Sequence, residues 1–200
     1  MTIRRGDCWG EPLSGGVEAK KVSDDHQLAV EAQAAHRGGD IGIFSLSHGD
    51  VAHSLGFTPA TERQHPMAYG FDLGRVSLDS GLVAPFVAHC VARGFGWTGQ
   101  GAVAMNTGWY GRWYLGPKAH PNDGLLDITW GTLPFRQALL AWRRAKTGTH
   151  LPHPELKTRR TSRWQYEFER PKGVWVDGVR VGKSRTILVE VIGDAFTVVG

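Results

Sequence analysis

The sequence contains few cysteines and no long hydrophobic run, and both absences exclude classes of protein. Cys8 and Cys90 are the only cysteines among the 200 residues. Two are too few for a disulfide framework or a four-cysteine zinc site, which is typical of a reducing compartment. No apolar run approaches the ~20 residues of a membrane-spanning helix, and the opening MTIRRGDCWGEP lacks the apolar core of a signal peptide. We therefore expect a cytoplasmic protein whose only membrane contact is peripheral, at the inner face.

Several motifs of catalysis and metal binding are also missing. The chain contains no H-E-x-x-H and no G-x-S-x-G, the usual settings of a catalytic zinc and of an activated serine. Nine histidines still invite a zinc hypothesis. However, neither the pair His150 and His153 nor the pair His48 and His53 has a good ligand spacing. We do not expect structural zinc.

Glycine is plentiful, and its distribution indicates strands. The 27 glycines often stand in short turn signals between β-branched and aromatic runs. A succession of such runs predicts an α+β fold that is mostly β, with a sandwich-like β body over residues 65–200. The predicted strands cover residues 68–73, 82–92, 101–106, 125–130, 164–168, 173–176, 186–191 and 195–199.

The first part of the chain has a different pattern. Residues 1–16 show little periodicity and predict a loose arm, whereas residues 17–58 indicate a strand, helix, strand, helix unit of α/β type. An aspartate N-cap before strong helix formers and a stop at Gly38 and Gly39 predict the longer helix. Asp50 is placed to cap the shorter one.

One amphipathic helix is expected to interrupt the β body. It begins at Pro134 and carries Phe135, Ala138, Leu139 and Trp142 on one face.

The net charge of +4 is unevenly distributed. Residues 136–163 contain a single acidic residue, Glu155, and many cations, a combination that attracts phosphate on a lipid headgroup or a nucleic acid. A solvated basic face without any partner is the more ordinary explanation. The cations are Arg136, Arg143, Arg144, Lys146, Lys157, Arg159, Arg160 and Arg163.

Aromatic residues gather just before the most distinctive turn of the chain. Trp109, Arg112 and Trp113 lie in a glycine-rich connection between strands. They could cap the β core, or they could form an aromatic and basic wall for an amphiphilic ligand such as a phospholipid, because aromatic rings favour interfaces and arginine pairs with phosphate.

Four segments carry a family resemblance. Residues 117–127, PKAHPNDGLLD, resemble the P-x-A-x-x-D-D-G-L-L-D segment of the diacylglycerol kinase and bacterial lipid kinase family, whose fold is related to NAD kinase. Residues 41–56 resemble that family's L-G-I-I-P-L-G-T-G-N-D-F-A-R-T-L-G. Residues 71–76, FDLGRV, resemble the I-D-L-G strand, and residues 174–181 resemble the D-G-E segment. The order matches over roughly residues 40–200.

The resemblance implies a remnant of an α/β nucleotide-binding domain followed by a lipid kinase β-sandwich, and it implies site residues. Asp177 would be the general base that takes the proton of a lipid hydroxyl. Asp123 and Asp127 would help to hold a structural Mg²⁺. His48, Gly49 and Asp50 would line the nucleotide or phosphate site.

This sequence departs from the family pattern next to Asp177 and in the loop at residues 47–50, and its aspartate pair is a weak signal. Val179 stands where the family has the glutamate of D-G-E, and Val-Asp-Gly-Val is also typical of a two-residue hairpin turn. Two carboxylates four residues apart are a weak metal signal by themselves. The loop at residues 47–50 lacks the family's first glycine, its threonine and its asparagine.

In the family, the phosphate-binding motif G-G-D-G-T follows a buried strand, where its N–H groups cradle phosphates. This sequence lacks that motif. The segment GGDIG at residues 38–42 instead ends a helix and precedes a strand, so it is interpreted as a C-cap and turn. Only forty residues precede Ile41. The resemblance thus implies a truncated member that retains a possible Mg²⁺ site, and it argues against ordinary ATP-dependent catalysis by this chain alone.

Three functional hypotheses follow. The leading one is a degenerate lipid kinase relative, a pseudokinase that binds an anionic lipid or a small phosphorylated molecule without phosphorylating it. The second is an active ATP-dependent lipid kinase with an altered nucleotide site that a partner or a homodimer completes. The third is a basic nucleic-acid or protein interaction module, which is the least favoured because none of the usual nucleic-acid motifs is present.

Overall fold

The computed structural model describes residues 9–13, 18–57 and 67–200. Most of the predicted arm, the first residue of the α/β unit and the boundary near residue 60 lie outside the described residues. The described elements, in chain order, are β1 (Glu11–Pro12), β2 (Lys20–Val22), α1 (Asp25–Arg37), β3 (Gly42–Leu46), α2 (Asp50–Ser54), β4 (Met67–Leu78), β5 (Val83–Phe86), β6 (His89–Arg93), a 3-10 turn (Phe95–Trp97), β7 (Gly99–Met105), β8 (Trp109–Tyr110), β9 (Trp113–Tyr114), β10 (Leu126–Leu133), α3 (Phe135–Ala145), β11 (Leu156–Thr161), β12 (Arg163–Val176) and β13 (Val179–Val199).

The predicted α/β unit forms as β2, α1, β3 and α2. Helix α1 begins where Asp24 accepts a hydrogen bond from the N–H of Gln27 at 2.9 Å, and it ends at Gly38 as the glycine pair predicted. Leu28 and Ala32 lie on its buried face. Local capping chemistry and a small apolar face are therefore enough to define this helix.

A single large sheet joins this unit to the β body. Its strand order is β1, β4, β13, β12, β6, β7, β10, β11, and β3 joins β13 as an additional parallel neighbour. Strand β13 pairs with β12 on one side, and its second half lies between β4 and β3. The fold is α+β and mostly β, which confirms the predicted class.

Several strand boundaries differ from the predicted ones. The run at residues 82–92 forms two strands, β5 and β6, whereas the two runs on either side of Pro171 form the single strand β12. The pairing of β12 with β13 shifts register between Glu167 and Lys172. Pro171 therefore lies at an irregularity, where no backbone N–H is needed for pairing with the next strand. Strand β11 was not predicted, because its charged, exposed residues carry no alternation of polar and apolar side chains.

The described part of the N-terminal arm is ordered against β4. The ring of Trp9 packs edge-on against Tyr69 with centroids 5.1 Å apart, and its Nε1 donates to the carbonyl oxygen of Gly70 at 3.2 Å. Glu11 pairs with Ala68. Residues 9–13 are thus not loose, contrary to expectation.

Helix α3 forms with Pro134 as its N-cap, but it faces the sheet differently from the prediction. Its buried residues are Ala138, Ala141 and Ala145. The large apolar side chains of the predicted face are exposed, with only Ala138 of that face buried. None of the described helices is long and apolar enough to cross a bilayer.

Strands β10 and β11 approach closely at Gly131, where a Cβ would overlap the carbonyl oxygen of Glu155. We expect Gly131→Ala to lower the free energy of unfolding by about 1–3 kcal/mol, because backbone must move to relieve the overlap. Urea denaturation measures this. The matched control is Gly94→Ala, where the added Cβ would lie 3.5 Å from its nearest neighbour. Equal stability of the two variants would contradict the argument.

Candidate functional site

Four titratable side chains meet where the α/β unit contacts the β body. We call Asp25, Asp50, His89 and Asp177 the junction cluster. They come from α1, α2, β6 and the turn between β12 and β13. The sequence motifs identified two of them, Asp50 and Asp177, while Asp25 and His89 are brought to the site by the fold.

Asp25 occupies the N-terminus of α2. Its carboxylate accepts hydrogen bonds from the N–H groups of Asp50, at 2.5 Å, and Val51, at 3.3 Å. Gly49 makes this approach possible, since it has a φ of +109° and a Cβ there would collide with the carboxylate. The predicted cap at Asp50 was wrong, because Asp50 is the first residue of the helix and the capping oxygen comes from α1.

The side chain of Asp50 is tied to two other elements. One oxygen lies 2.9 Å from Nε2 of His89, and the other accepts the N–H of Gly111 at 2.8 Å. Burial alone would raise the pKa of Asp50, but these hydrogen bonds hold it below its ordinary value. The residue predicted to line a nucleotide site is therefore already engaged within the protein.

His89 is 3% exposed, and its charge state depends on its neighbours. Burial alone would lower its pKa. The hydrogen bond to Asp50 and the negative charges of Asp177, Asp50 and Asp25 outweigh burial and raise the pKa above the ordinary value. These neighbours thus favour the charged form of His89 beside the three acidic side chains.

Asp177 binds three consecutive backbone N–H groups. Its carboxylate accepts from Val87 at 2.8 Å, from Ala88 at 2.9 Å and from His89 at 3.0 Å. It also begins a two-residue hairpin turn, with positive φ at Asp177 and Gly178, so the interpretation as a turn is confirmed. Burial raises the pKa of Asp177, against the lowering effect of His89 and the N–H groups. Its use as a general base stays a prediction.

The acidity of Asp25 is also strongly perturbed. Burial, followed by the nearby charges of Asp177 and Asp50, raises its pKa to about 7. The cluster therefore retains a carboxyl proton close to neutral pH.

The predicted magnesium residues lie at a separate place on the β body. Arg160 of β11 bridges them: its Nε lies 2.9 Å from Asp127, and its guanidinium also contacts Asp123. A cation already stands between the two carboxylates, so the residues present fit a metal ion poorly. Within the described ranges no cluster of three or more His, Cys, Asp or Glu could hold a metal. The Mg²⁺ expectation stays a prediction.

Asp72 fixes the turn that contains Asp123. Its buried carboxylate accepts the N–H of Gly124 at 2.6 Å and that of Asp194 at 2.9 Å. Burial and the charges of Asp194 and Asp123 raise its pKa to about 6. The I-D-L-G resemblance located this residue without indicating its role.

An aromatic hairpin made of β8 and β9 covers the junction cluster. Trp109 stacks on His53 of α2 with ring centroids 4.1 Å apart, and Tyr110 contacts the ring of His89 edge-on at 4.7 Å. The turn residue Gly111 donates its N–H to Asp50. The hairpin is thus attached to the loop where the family would bind nucleotide.

A cavity of about 80 Å³, which we call the apolar slot, lies between this hairpin, α3 and strands β7 and β10. Of the predicted ligand wall, Trp113 lines the slot, whereas Trp109 and Arg112 do not. Its main apolar walls are Trp97, Val103, Tyr110, Trp113, Leu133 and Trp142.

A second depression, the cationic groove, adjoins the slot. It has a volume of about 610 Å³, and Leu115, Thr129 and Leu156 line both spaces. Its cations are Lys118, Arg159 and Arg160. Arg160 is paired with carboxylates, while Lys118 and Arg159 make no ion pair with the described part of the chain.

Comparison with known proteins identifies the family. Residues 87–200 match the family model described as the YegS C-terminal NAD kinase beta sandwich-like domain, which is more than half of the chain. The chain belongs to this family. No curated protein matches the sequence.

Solved structures share the fold of this YegS-type chain at low identity. A putative diacylglycerol kinase from Bacillus anthracis str. Sterne has a TM-score of 0.63 and 13% identity, with 89% of this chain and 76% of that one covered. A diacylglycerol kinase from the same organism has a TM-score of 0.56 and 14% identity, with 78% and 66% covered. The predicted diacylglycerol kinase-like membership is confirmed at the level of family and fold. The chain spans only about two thirds to three quarters of these relatives.

The buried Asp25 should make stability fall as pH rises through the weakly acidic range, because the folded state binds the proton of Asp25 more tightly than the unfolded chain does. Asp25 has a pKa of about 7 in the fold, against an ordinary value of 3.8. Its contribution therefore decreases between about pH 4 and pH 7, at up to about 1.4 kcal/mol per pH unit. The raised pKa of His89 acts in the same direction, since its stabilisation is lost as pH rises through the folded pKa.

We expect Asp25→Asn to flatten this dependence between pH 5 and pH 7 while Asp72, with a pKa of about 6, preserves part of the slope. Urea denaturation at stepped pH measures both slopes. Identical slopes for the variant and the natural chain would show that Asp25 does not titrate in this range.

Asp177→Asn should destabilise the fold by about 1–3 kcal/mol. One carboxylate oxygen becomes an NH₂ group, which cannot accept hydrogen bonds from the backbone N–H groups that Asp177 binds. The exposed Asp40→Asn is the matched control and should leave stability unchanged. Thermal and urea unfolding compare the two. A fully stable Asp177→Asn would mean that the three N–H bonds contribute little.

Proposed function

We propose that this diacylglycerol kinase-like protein binds an anionic lipid and does not phosphorylate it. The carrying observation is that the apolar slot adjoins a groove with two cations, Lys118 and Arg159, that no carboxylate neutralises among the described residues. An apolar space beside an anion-attracting one suits an amphiphile better than a wholly polar ligand.

The slot supports the acyl-chain part of the proposal. Its walls are almost entirely aromatic and aliphatic, with Trp113 and Trp142 at one side and Val103 at the other. Each CH₂ group moved from water into such a space gains roughly 0.8 kcal/mol. A narrow cavity of about 80 Å³ fits part of one chain more readily than a bulky ring system.

The groove supports the anionic headgroup. Lys118 and Arg159 can each donate to phosphate oxygens, and arginine can do so through two parallel hydrogen bonds. Arg160 contributes less, because Asp123 and Asp127 already occupy its guanidinium. The headgroup would lie beside the wall formed by Leu115 and Leu156, with its chain extending into the slot.

The junction cluster argues against nucleotide. The N–H groups at the start of α2 already bond to the carboxylate of Asp25, and Asp50 is bonded to His89 and Gly111. A phosphate at this loop would have to displace one carboxylate and remain near two more. The aromatic hairpin also packs against α2, where Trp109 stacks on His53.

A lipid kinase is the second candidate, favoured by the position of Asp177 in the D-G turn. In that case Asp177 would accept the proton of a lipid hydroxyl, and Mg²⁺ bound with ATP would neutralise the phosphates. Asp177 would first have to release backbone N–H groups that it now binds.

Thermal-shift titration separates the candidates. We expect dioctanoyl phosphatidic acid to raise the Tm, and dioctanoylglycerol, Mg-ATP and inorganic phosphate to raise it little or not at all. A ligand at about 100 times its Kd adds about 2.7 kcal/mol, which shifts the Tm of a chain of this size by roughly 5–10 °C.

Arg159→Ser should remove most of that shift. Lys157→Ser is the matched control, since Lys157 lies on the same strand but does not line the groove. A shift with Mg-ATP would instead support the kinase, and no shift with any lipid would overturn the lipid proposal.

A further inference from the structure

Helix α3 packs its smallest residues against the sheet and leaves its largest ones outside. Ala138, Ala141 and Ala145 are buried, whereas Phe135 is 71% exposed and Leu139 is 49% exposed. An ordinary surface helix does the reverse, with large apolar side chains toward the core. Large apolar residues on the outer surface of a folded domain mark an interaction site when they are contiguous.

Helical spacing places three of these side chains together. Phe135, Leu139 and Trp142 follow one another at i, i+4 and i+7, which puts them on one flank of α3. Leu140 is almost as exposed as Leu139, at 46% against 49%, but it lies about 100° further round the helix. Leu140 is therefore a comparable exposed residue that lies off the apolar flank.

A second element extends this flank at the same end of the sheet. Phe95, in the 3-10 turn before β7, is 98% exposed. Gly99 at the start of β7 pairs with Leu133, which stands just before the N-cap of α3. The turn and the start of α3 therefore lie side by side. We call Phe95, Phe135, Leu139 and Trp142 the docking face.

The charge on α3 has one sign. No acidic residue occurs between Asp127 and Glu155, whereas α3 and its C-cap carry four cations. Arg136 and Arg143 border the apolar flank by helical spacing. An anionic surface would be attracted to the same side of the molecule that exposes the apolar residues.

We propose that the docking face binds the surface of an anionic lipid bilayer, with α3 lying in the plane of the interface. Aromatic and leucine side chains next to arginine are what interfacial helices use. Trp142 of the docking face and Trp97, two residues after Phe95, also line the apolar slot. A lipid could therefore pass from the bilayer into the slot without crossing water. This role of the slot rests on the function proposed above, whereas bilayer binding itself does not.

Nucleic acid is the alternative partner for a basic surface, but the exposed apolar residues of the docking face favour a bilayer. Contacts to the phosphates of a duplex need cations but gain nothing from the exposed Phe95 and Phe135. A bilayer interface contacts cations and apolar side chains together.

Flotation of the full chain with vesicles tests the proposal. We expect partitioning at least about tenfold stronger to phosphatidylcholine vesicles containing phosphatidylglycerol than to pure phosphatidylcholine, because several cations face the surface. The double variant Phe135→Ser with Leu139→Ser should lose about tenfold or more of that binding. The control Leu140→Ser should change it by less than about twofold, because Leu140 lies off the flank.

A charge variant tests the electrostatic part. Arg136→Ser with Arg143→Ser should remove most of the preference for phosphatidylglycerol. The control Lys21→Ser with Lys183→Ser makes the same change in net charge at exposed lysines outside α3 and should preserve the preference. Unchanged melting curves for all four variants would show that the fold is intact.

Two results with the variants and with DNA would overturn the proposal. One is equal loss of vesicle binding in Leu140→Ser and in the double apolar variant. The other is duplex DNA binding as tight as vesicle binding and insensitive to the apolar variant, which would identify a general polyanion surface. If the chain does not bind vesicles but dioctanoyl phosphatidic acid still raises its Tm, the docking proposal is refuted and the lipid site is not. Vesicle binding without that Tm shift would support docking and refute the lipid site in the slot.

Discussion

Buried carboxylates that accept backbone N–H groups hold the loops of this protein in place. Asp25 binds the start of α2, Asp72 binds the turns at residues 124 and 194, and Asp177 binds residues 87–89. Buried donors of this kind must be satisfied by an acceptor. Each aspartate therefore joins segments that lie far apart in the sequence, and the candidate site is built from the same contacts.

This arrangement changes what the nucleotide loop of the family can do here. Free N–H groups at a helix start attract a phosphate, but at α2 an internal carboxylate has taken that position. Asp25 is held partly protonated near neutral pH by burial and by its acidic neighbours. The loop thus serves to fasten α1, α2 and the aromatic hairpin to one another. Two spaces that remain open to a ligand, the slot and the groove, lie away from this loop.

Local signals were sufficient to predict the α/β unit and the fold class, because caps, glycine stops and apolar runs act over a few residues. The spaced aspartate motif was also sufficient to predict the family. The partners of the site residues could not be predicted, since Asp25 and His89 approach Asp50 only through the sheet. Arg160 likewise reaches Asp123 from a charged edge strand without an apolar pattern. The orientation of α3 could not be predicted either, because its alanines, and not its large apolar residues, are the buried ones.

Strand β13 has a consequence for the order in which the protein can fold. Its second half pairs with β3 and β4, whose residues lie more than a hundred positions earlier in the chain. Contacts between such distant segments carry a large loop-closure entropy and slow the folding of the domain. During synthesis, one edge of β3 and one edge of β4 have no partner until residues 179–199 have been made. These open edges are where the newly made chain is most exposed to pairing with another chain.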